Sequence, residues 1–236
     1  MSFTTKIKRR LVLLFTGLLL LAACEEGIFK SGLQEGVIEY QISYPNLAED
    51  HLMMDLLPKK MQCKFKPGMF TNEVSAGMGL FKSAVIYQSK EEHLYHTVKL
   101  LNTKIFAELD NPDILALNDG FENLEFKPTG NKQKIAGYNC KEVEVTVPSD
   151  SSWTFLMYYT KEIDIPEANF RNPFEEIDGV LMQYDIVSNG LRMRFSAKKV
   201  TEEKVPEDEI VVGEEYEKVS SSELRAELES IFNRVR

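Results

Sequence analysis

The chain has 236 residues, with 28 lysines and arginines against 37 aspartates and glutamates, a formal net charge of −9 at pH 7. Its hydrophobic content of 43% is too high for a disordered polymer, and no basic stripe is present to hold nucleic acid. Beyond its first two dozen residues the chain is long enough to bury a sizeable core in one large β domain.

The N-terminus carries Lys6, Lys8, Arg9 and Arg10, then the 13-residue apolar run Leu11–Ala23. As a helix that run is about 20 Å long, whereas a bilayer span needs roughly 20 residues, so it reads as a signal-peptide core. It ends in Leu21-Ala22-Ala23-Cys24. Small residues before a cysteine in this place resemble the lipobox of bacterial lipoproteins. The resemblance implies cleavage before Cys24 and acylation there, with more than one acyl chain for firm anchoring. Glu25 and Glu26 come immediately after and resemble a surface-export signal. That leaves a periplasm-facing anchor and surface display as two outcomes for an outer-membrane protein. Removing residues 1–23 discards four positive charges and leaves 24 basic against 37 acidic residues, a net charge of −13. Such a body is repelled as a whole by an anionic membrane, so the lipid must hold it.

Residues 24–35 form a short tether. Gly36–Tyr44 alternates Ile38, Tyr40, Ile42 and Tyr44 with Glu39, Gln41 and Ser43, a half-buried strand that Pro45 ends. Asn46 with Glu49 predicts a helix cap, and Leu47–Leu57 a short apolar helix that Pro58 stops. Strands are then predicted at Met61–Lys66, Met69–Ser75, Ser83–Gln88, His93–Leu100, Lys104–Leu109 and Glu122–Phe126, with one helical turn at Asn111–Leu117. Ile135–Val147 reads as one long strand. Trp153–Tyr159 is apolar on both faces, which predicts a central, doubly covered strand. Leu181–Val187 and Leu191–Lys199 form a hairpin about Ser188-Asn189-Gly190. An acidic segment, 202–217, precedes a capping box at Ser220-x-x-Glu223 and an amphipathic helix over 220–236 carrying Leu224, Leu228, Ile231, Phe232 and Val235.

About ten closely spaced strands without a βαβ rhythm predict a mainly β (α+β) fold, a large curved antiparallel sheet or half-open barrel. Two or three helices are expected on its concave face. The β domain spans 36–219, with the C-terminal helix packed on it.

The residues offer little chemistry. His93 and His96 are three apart on a strand, so they point to opposite faces and cannot share a metal; His96 has the parity of a hydrogen-bonded core histidine. No Gly-x-Ser-x-Gly elbow or phosphate loop is present. Catalytic residues, cofactors and metals are therefore all expected to be none. Cys63 and Cys140 would sit in an oxidising compartment, where a disulfide is a natural expectation. Strand parity argues against it, since Cys63 shares the apolar face of Met61 and Phe65 while Cys140 shares the polar parity of Glu142 and Glu144; a bulge near Gly137 would reverse that. Eight methionines lie beyond Cys24, with many aromatic residues. They suit either a soft core or a partly open apolar cavity. The residues expected to line such a cavity are Tyr40, Ile42, Met54, Leu57, Trp153, Phe155, Met157, Met193 and Phe195.

Four stretches carry a resemblance to a family. They are Leu56-Leu57-Pro58-Lys59-Lys60-Met61 into Phe65-Lys66, Gly77-Met78-Gly79-Leu80-Phe81, Lys134-Ile135-Ala136-Gly137-Tyr138-Asn139-Cys140-Lys141, and Tyr158-Tyr159-Thr160-Lys161-Glu162-Ile163. In order and spacing they are similar to a family of uncharacterised bacterial envelope lipoproteins built on a domain of unknown function, and the likeness covers most of Gly36–Val219. That family looks related to the LolA/LolB-type lipoprotein-localisation factors. The resemblance implies a half-open barrel plugged by helices, with room for acyl chains, and carries over no catalytic residue. The expectation is a non-enzymatic outer-membrane lipoprotein. Its partners would be the membrane through Cys24, a lipid or other hydrophobic small molecule, and other envelope proteins. The alternative is a structural or interaction lipoprotein with a fully packed sheet and no ligand.

Overall fold

The computed structural model describes residues 32–48, 51–117, 120–121, 123–148, 153–188 and 190–235. The signal, Cys24, Glu25 and Glu26 lie outside the described residues.

Twelve strands form one sheet that does not close. The first six run as a meander: β1 (Gly36–Ser43), β2 (Lys60–Lys66), β3 (Met69–Ala76), β4 (Phe81–Gln88), β5 (His93–Leu100) and β6 (Thr103–Leu109). The next five make a second meander: β7 (Glu125–Ile135), β8 (Tyr138–Val147), β9 (Trp153–Thr160), β10 (Val180–Ser188) and β11 (Leu191–Glu202). The antiparallel pair β1–β11 fuses the two, with Ile42 opposite Phe195 and Gly36 opposite Glu202. A two-residue strand, β12 (Glu217–Lys218), runs parallel to β6 at one edge, which makes the sheet mixed. β7 is the other edge.

Two helices accompany the sheet among the described residues, α1 (Asn111–Leu117) and α2 (Ser221–Val235). The predicted capping box is formed: Ser220 Oγ accepts from the Glu223 N–H at 3.2 Å and Glu223 Oε2 accepts from the Ser220 N–H at 2.9 Å. It starts α2 so that Leu224 and Leu228 meet Val98, Ala107 and Ile105. Ile114 of α1 joins Leu94 and Leu109 in the main cluster. Both helices therefore cover the buried face of β5–β6 and leave the rest of that face to other segments.

Three expectations are corrected. The helix over Leu47–Leu57 is a single 3-10 turn, Leu52–Asp55; Leu57 and Tyr44 are still buried, and the Tyr44 hydroxyl donates to the Pro58 carbonyl at 2.6 Å. The strand drawn through Ile135–Val147 folds back at Ala136-Gly137, both at positive φ (49° and 96°), as a two-residue hairpin turn requires; glycine takes this region freely, alanine at a cost of roughly 1–2 kcal/mol. β9 is third from an edge, and its first half is covered on one side only, with Phe155 and Met157 buried and Leu156 40% exposed; further along, Tyr158 and Thr160 are buried on the Leu156 face.

The acidic segment after β11 is also structured. Val205 and Ile210 pack on Val37 and Met69, and the Val205 N–H donates to Glu35 Oε1 at 2.8 Å.

Candidate functional site

The buried face of the sheet is where an internal site would lie. Its centre is occupied by the connection from β9 to β10, residues 161–179. This segment has no helix; it is a chain of tight turns, with Phe170 N–H donating to the Glu167 carbonyl at 2.8 Å and Ile177 N–H to the Phe174 carbonyl at 2.9 Å. Asn169 staples it: Nδ2 donates to the Ile177 and Gly179 carbonyls at 2.7 and 3.0 Å. Gly179 closes the segment where a Cβ would come within 2.7 Å of the Thr160 carbonyl oxygen, so only glycine allows the chain to re-enter the sheet so closely.

The loop inserts two aromatic rings. Phe174 is 1% exposed and packs against Phe121, Phe126, Phe155 and Tyr184 at centroid distances of 5.8–6.4 Å. Phe170 lies on Tyr87 at 4.7 Å, and Tyr87 on Phe70 at 5.2 Å. The Tyr87 hydroxyl donates to the Glu167 carboxylate. Burial and that carboxylate hold its phenol above the ordinary value.

Two spaces lie beside this loop among the described residues. A gap of about 50 Å³ lies between loop and sheet, bordered by Tyr40, Cys63, Phe70, Ile165, Val180 and Tyr184. A cleft of about 320 Å³ lies within the loop itself, where Glu167, Glu175 and Asp178 join Ile165, Phe170 and Ile177. The inner gap holds little more than one water by volume, and the outer cleft is lined by carboxylates. Of the nine residues expected to line an apolar cavity, only Tyr40 borders the inner gap. Tyr40, Ile42, Leu57 and Phe195 are buried in the main cluster, with Met54 and Met193 against it. Phe155 and Met157 belong to the second cluster, with Trp153 packed on it. The structure brings these residues onto the buried face and fills the space between them.

The loop residues that fill it, Glu167, Asn169, Phe170 and Phe174, were not singled out in the sequence. A signal exists: Ile163, Phe170, Phe174 and Ile177 are regularly apolar among Pro166, Asn169, Asn172 and Pro173, which is too greasy for a solvated connection.

The polar clusters are structural in form. His96 is 6% exposed and shares a hydrogen bond of 2.8 Å between Nε2 and Ser83 Oγ. Burial pulls its pKa down to about 4, which makes it a poor base for activating that hydroxyl. His93 lies on the other face, near Tyr95 at 3.2 Å and Glu108 at 3.4 Å. Asp185 is fully buried between Arg192 and Arg194: Arg192 Nε donates to it at 2.8 Å, and Arg194 Nε and Nη2 at 2.7 and 3.0 Å. The Arg192 guanidinium also sits 4.0 Å over the Trp153 ring, so this network clamps the β10–β11 hairpin to the end of β9.

Cys63 and Cys140 are both free and both buried. The expected polar placement of Cys140 is corrected. It keeps the register parity of Glu142 on β8, yet it is 1% exposed and belongs to the cluster of Tyr40 and Cys63. The buried parity switches along β8: Cys140 is buried between exposed Asn139 and Lys141, whereas further on Val143, Val145 and Val147 are the buried residues. Burial pushes the Cys63 thiol up to about 12 and the Cys140 thiol to about 11.

Residues 35–170, more than half of the chain and β1 through β9 with the start of the plugging loop, match a family defined as a domain of unknown function, DUF4412. The chain belongs to the DUF4412 family. A search among curated proteins found no match. The stretches quoted for the resemblance to an uncharacterised domain family fall inside this match, and as a DUF4412 member the chain extends the shared region by β10, β11 and α2.

Proposed function

We propose that the protein is a non-enzymatic lipoprotein of the cell envelope, anchored in the outer membrane through an acylated Cys24, with a LolA/LolB-like half-open sheet as its body. Glu25 and Glu26 are its candidate export signal, so that the body faces either the periplasm or the cell exterior. The body works through its surface, with other envelope components as partners. The observation that carries this reading is the packed inner face. Residues 161–179 leave about 50 Å³ against the sheet, where ligand pockets measure roughly 300 Å³ or more.

A second reading keeps a hydrophobic ligand, and one observation favours it. The occupant of the inner face is an irregular loop, and Phe170 and Phe174 lie where an acyl chain would lie. In that reading the ligand displaces the loop.

The native mass of the Cys24→Ser chain, extracted from the cells that make it, separates the two. An apo mass for this chain and for Phe174→Ala supports the packed body. A lipid adduct on the unaltered chain, strengthened in Phe174→Ala, overturns it in favour of the ligand reading.

A further inference from the structure

Three lysines gather at the tip of the β7–β8 hairpin. Lys132 and Lys134 of β7 share one face. Lys141 of β8 lies directly opposite Lys132, and Asn139 opposite Lys134. All three lysines are exposed. Among the described residues none forms an ion pair, although Lys127 on the same strand pairs with Glu144 and Lys161 nearby pairs with Asp178. Like charges directly opposite each other in a sheet repel; Lys141 Nζ lies 6.0 Å from the Tyr159 ring centroid, and among the described residues no carboxylate pairs with any of the three. Lysine on an edge strand guards against edge-to-edge aggregation, which would account for Lys132 and Lys134. It does not account for Lys141, which lies on the inner neighbour of that edge.

This hairpin tip stands where the chain enters the body. Leu33 bridges in parallel to Ile163, with the Leu33 N–H donating to the Glu162 carbonyl at 3.1 Å and the Asp164 N–H donating to the Leu33 carbonyl at 2.9 Å. The Glu162 side chain in turn accepts from Asn139, at 3.2 Å from the N–H and 2.7 Å from Nδ2. Gly32, Glu162, Asn139 and Lys134 thus form a contiguous series. Glu162 and Glu202 lie close to Tyr138, Glu142 accepts from Asn131 Nδ2 at 2.9 Å, and Asp164 lies beside Leu33. What sets this tip apart is therefore not a net positive charge but three exposed lysines held on one hairpin end.

Eight peptide units separate Cys24 from Gly32. They span at most about 29 Å. An acyl anchor at Cys24 therefore keeps this end of the body against the bilayer. We propose that the β7–β8 hairpin tip is the membrane-facing surface of the body, and that Lys132, Lys134 and Lys141 contact anionic lipid headgroups. This contact depends on the acylation of Cys24 proposed above. Net charge repels the body from such a membrane; the three lysine ammonium groups at the tip give this end its contacts with the headgroups.

The test uses the mature, acylated chain reconstituted into vesicles of phosphatidylcholine alone and of phosphatidylcholine with phosphatidylglycerol. Amine labelling is quantified residue by residue by mass spectrometry. Lys60, exposed and placed at the opposite end of β1 beside Gln41, is the internal reference. Labelling of Lys132, Lys134 and Lys141 should slow several-fold relative to Lys60 on the anionic vesicles only. The difference should vanish in 1 M salt, where the screening length falls to about 3 Å. Equal relative rates on both vesicles, with an acylated mass, overturn the proposal and leave the anchoring reading intact. An unmodified Cys24 mass overturns both.

Discussion

His96 shows how one residue's surroundings set its chemistry. Its neighbours are a hydroxyl and apolar side chains, and desolvation disfavours the imidazolium. Its folded-state pKa of about 4 lies below the 6.5 of an unperturbed histidine, so the unfolded chain takes up the proton first. The contribution is fully present above about pH 6.5 and is lost as pH falls toward 4, by up to about 3 kcal/mol. Urea unfolding of the native chain and of His96→Gln across that window should diverge, the variant being less pH-dependent; parallel curves would sink this assignment. The buried placement of His96 was legible from its parity with Leu94 and Val98. The burial of Cys140 was not, because the covered face of β8 changes between Cys140 and Val143, and parity read from Val143, Val145 and Val147 carries over only where one face stays buried.

The β9–β10 connection decides what the buried face can hold. Its two rings were hidden in the sequence because their spacing of four is that of a helix, while Pro166 and Pro173 break the segment into turns; Asn169 staples those turns and so places the rings. Phe174 fills the centre of an aromatic cluster, and replacing it with alanine should cost about 3–5 kcal/mol of unfolding free energy, measured by denaturant titration. A loss under 1 kcal/mol would mean that the loop is only loosely seated. The hairpin turn at Ala136-Gly137 was missed for a related reason. The alternating pattern runs straight through Ile135–Val147, and only the positive φ of both turn residues reveals the fold-back. The C-terminal helix was legible because its capping box and apolar stripe are both local.

Across the whole molecule, two meanders share one sheet through the β1–β11 seam, and the main cluster draws residues from both sides of it. Cys63 sits in the first meander and Cys140 in the second, each buried with its pKa raised well above that of a free thiol, so neither reacts while folded. In the Cys24→Ser chain both should become reactive to alkylation at the same denaturant concentration, as one cooperative transition requires. Earlier exposure of Cys140 would show that the second meander unfolds alone. The sequence by itself determined the strand count to within about two, the mainly β class, the capping box and the histidine placement, because each depends on residues within a turn or two of one another. Only the tertiary structure decided that β1 pairs with β11, that a loop rather than a helix fills the buried face, and that three lysines converge beside the tether. Those outcomes depend on segments far apart in the chain competing to cover the same apolar surface, and no local pattern encodes which of them wins.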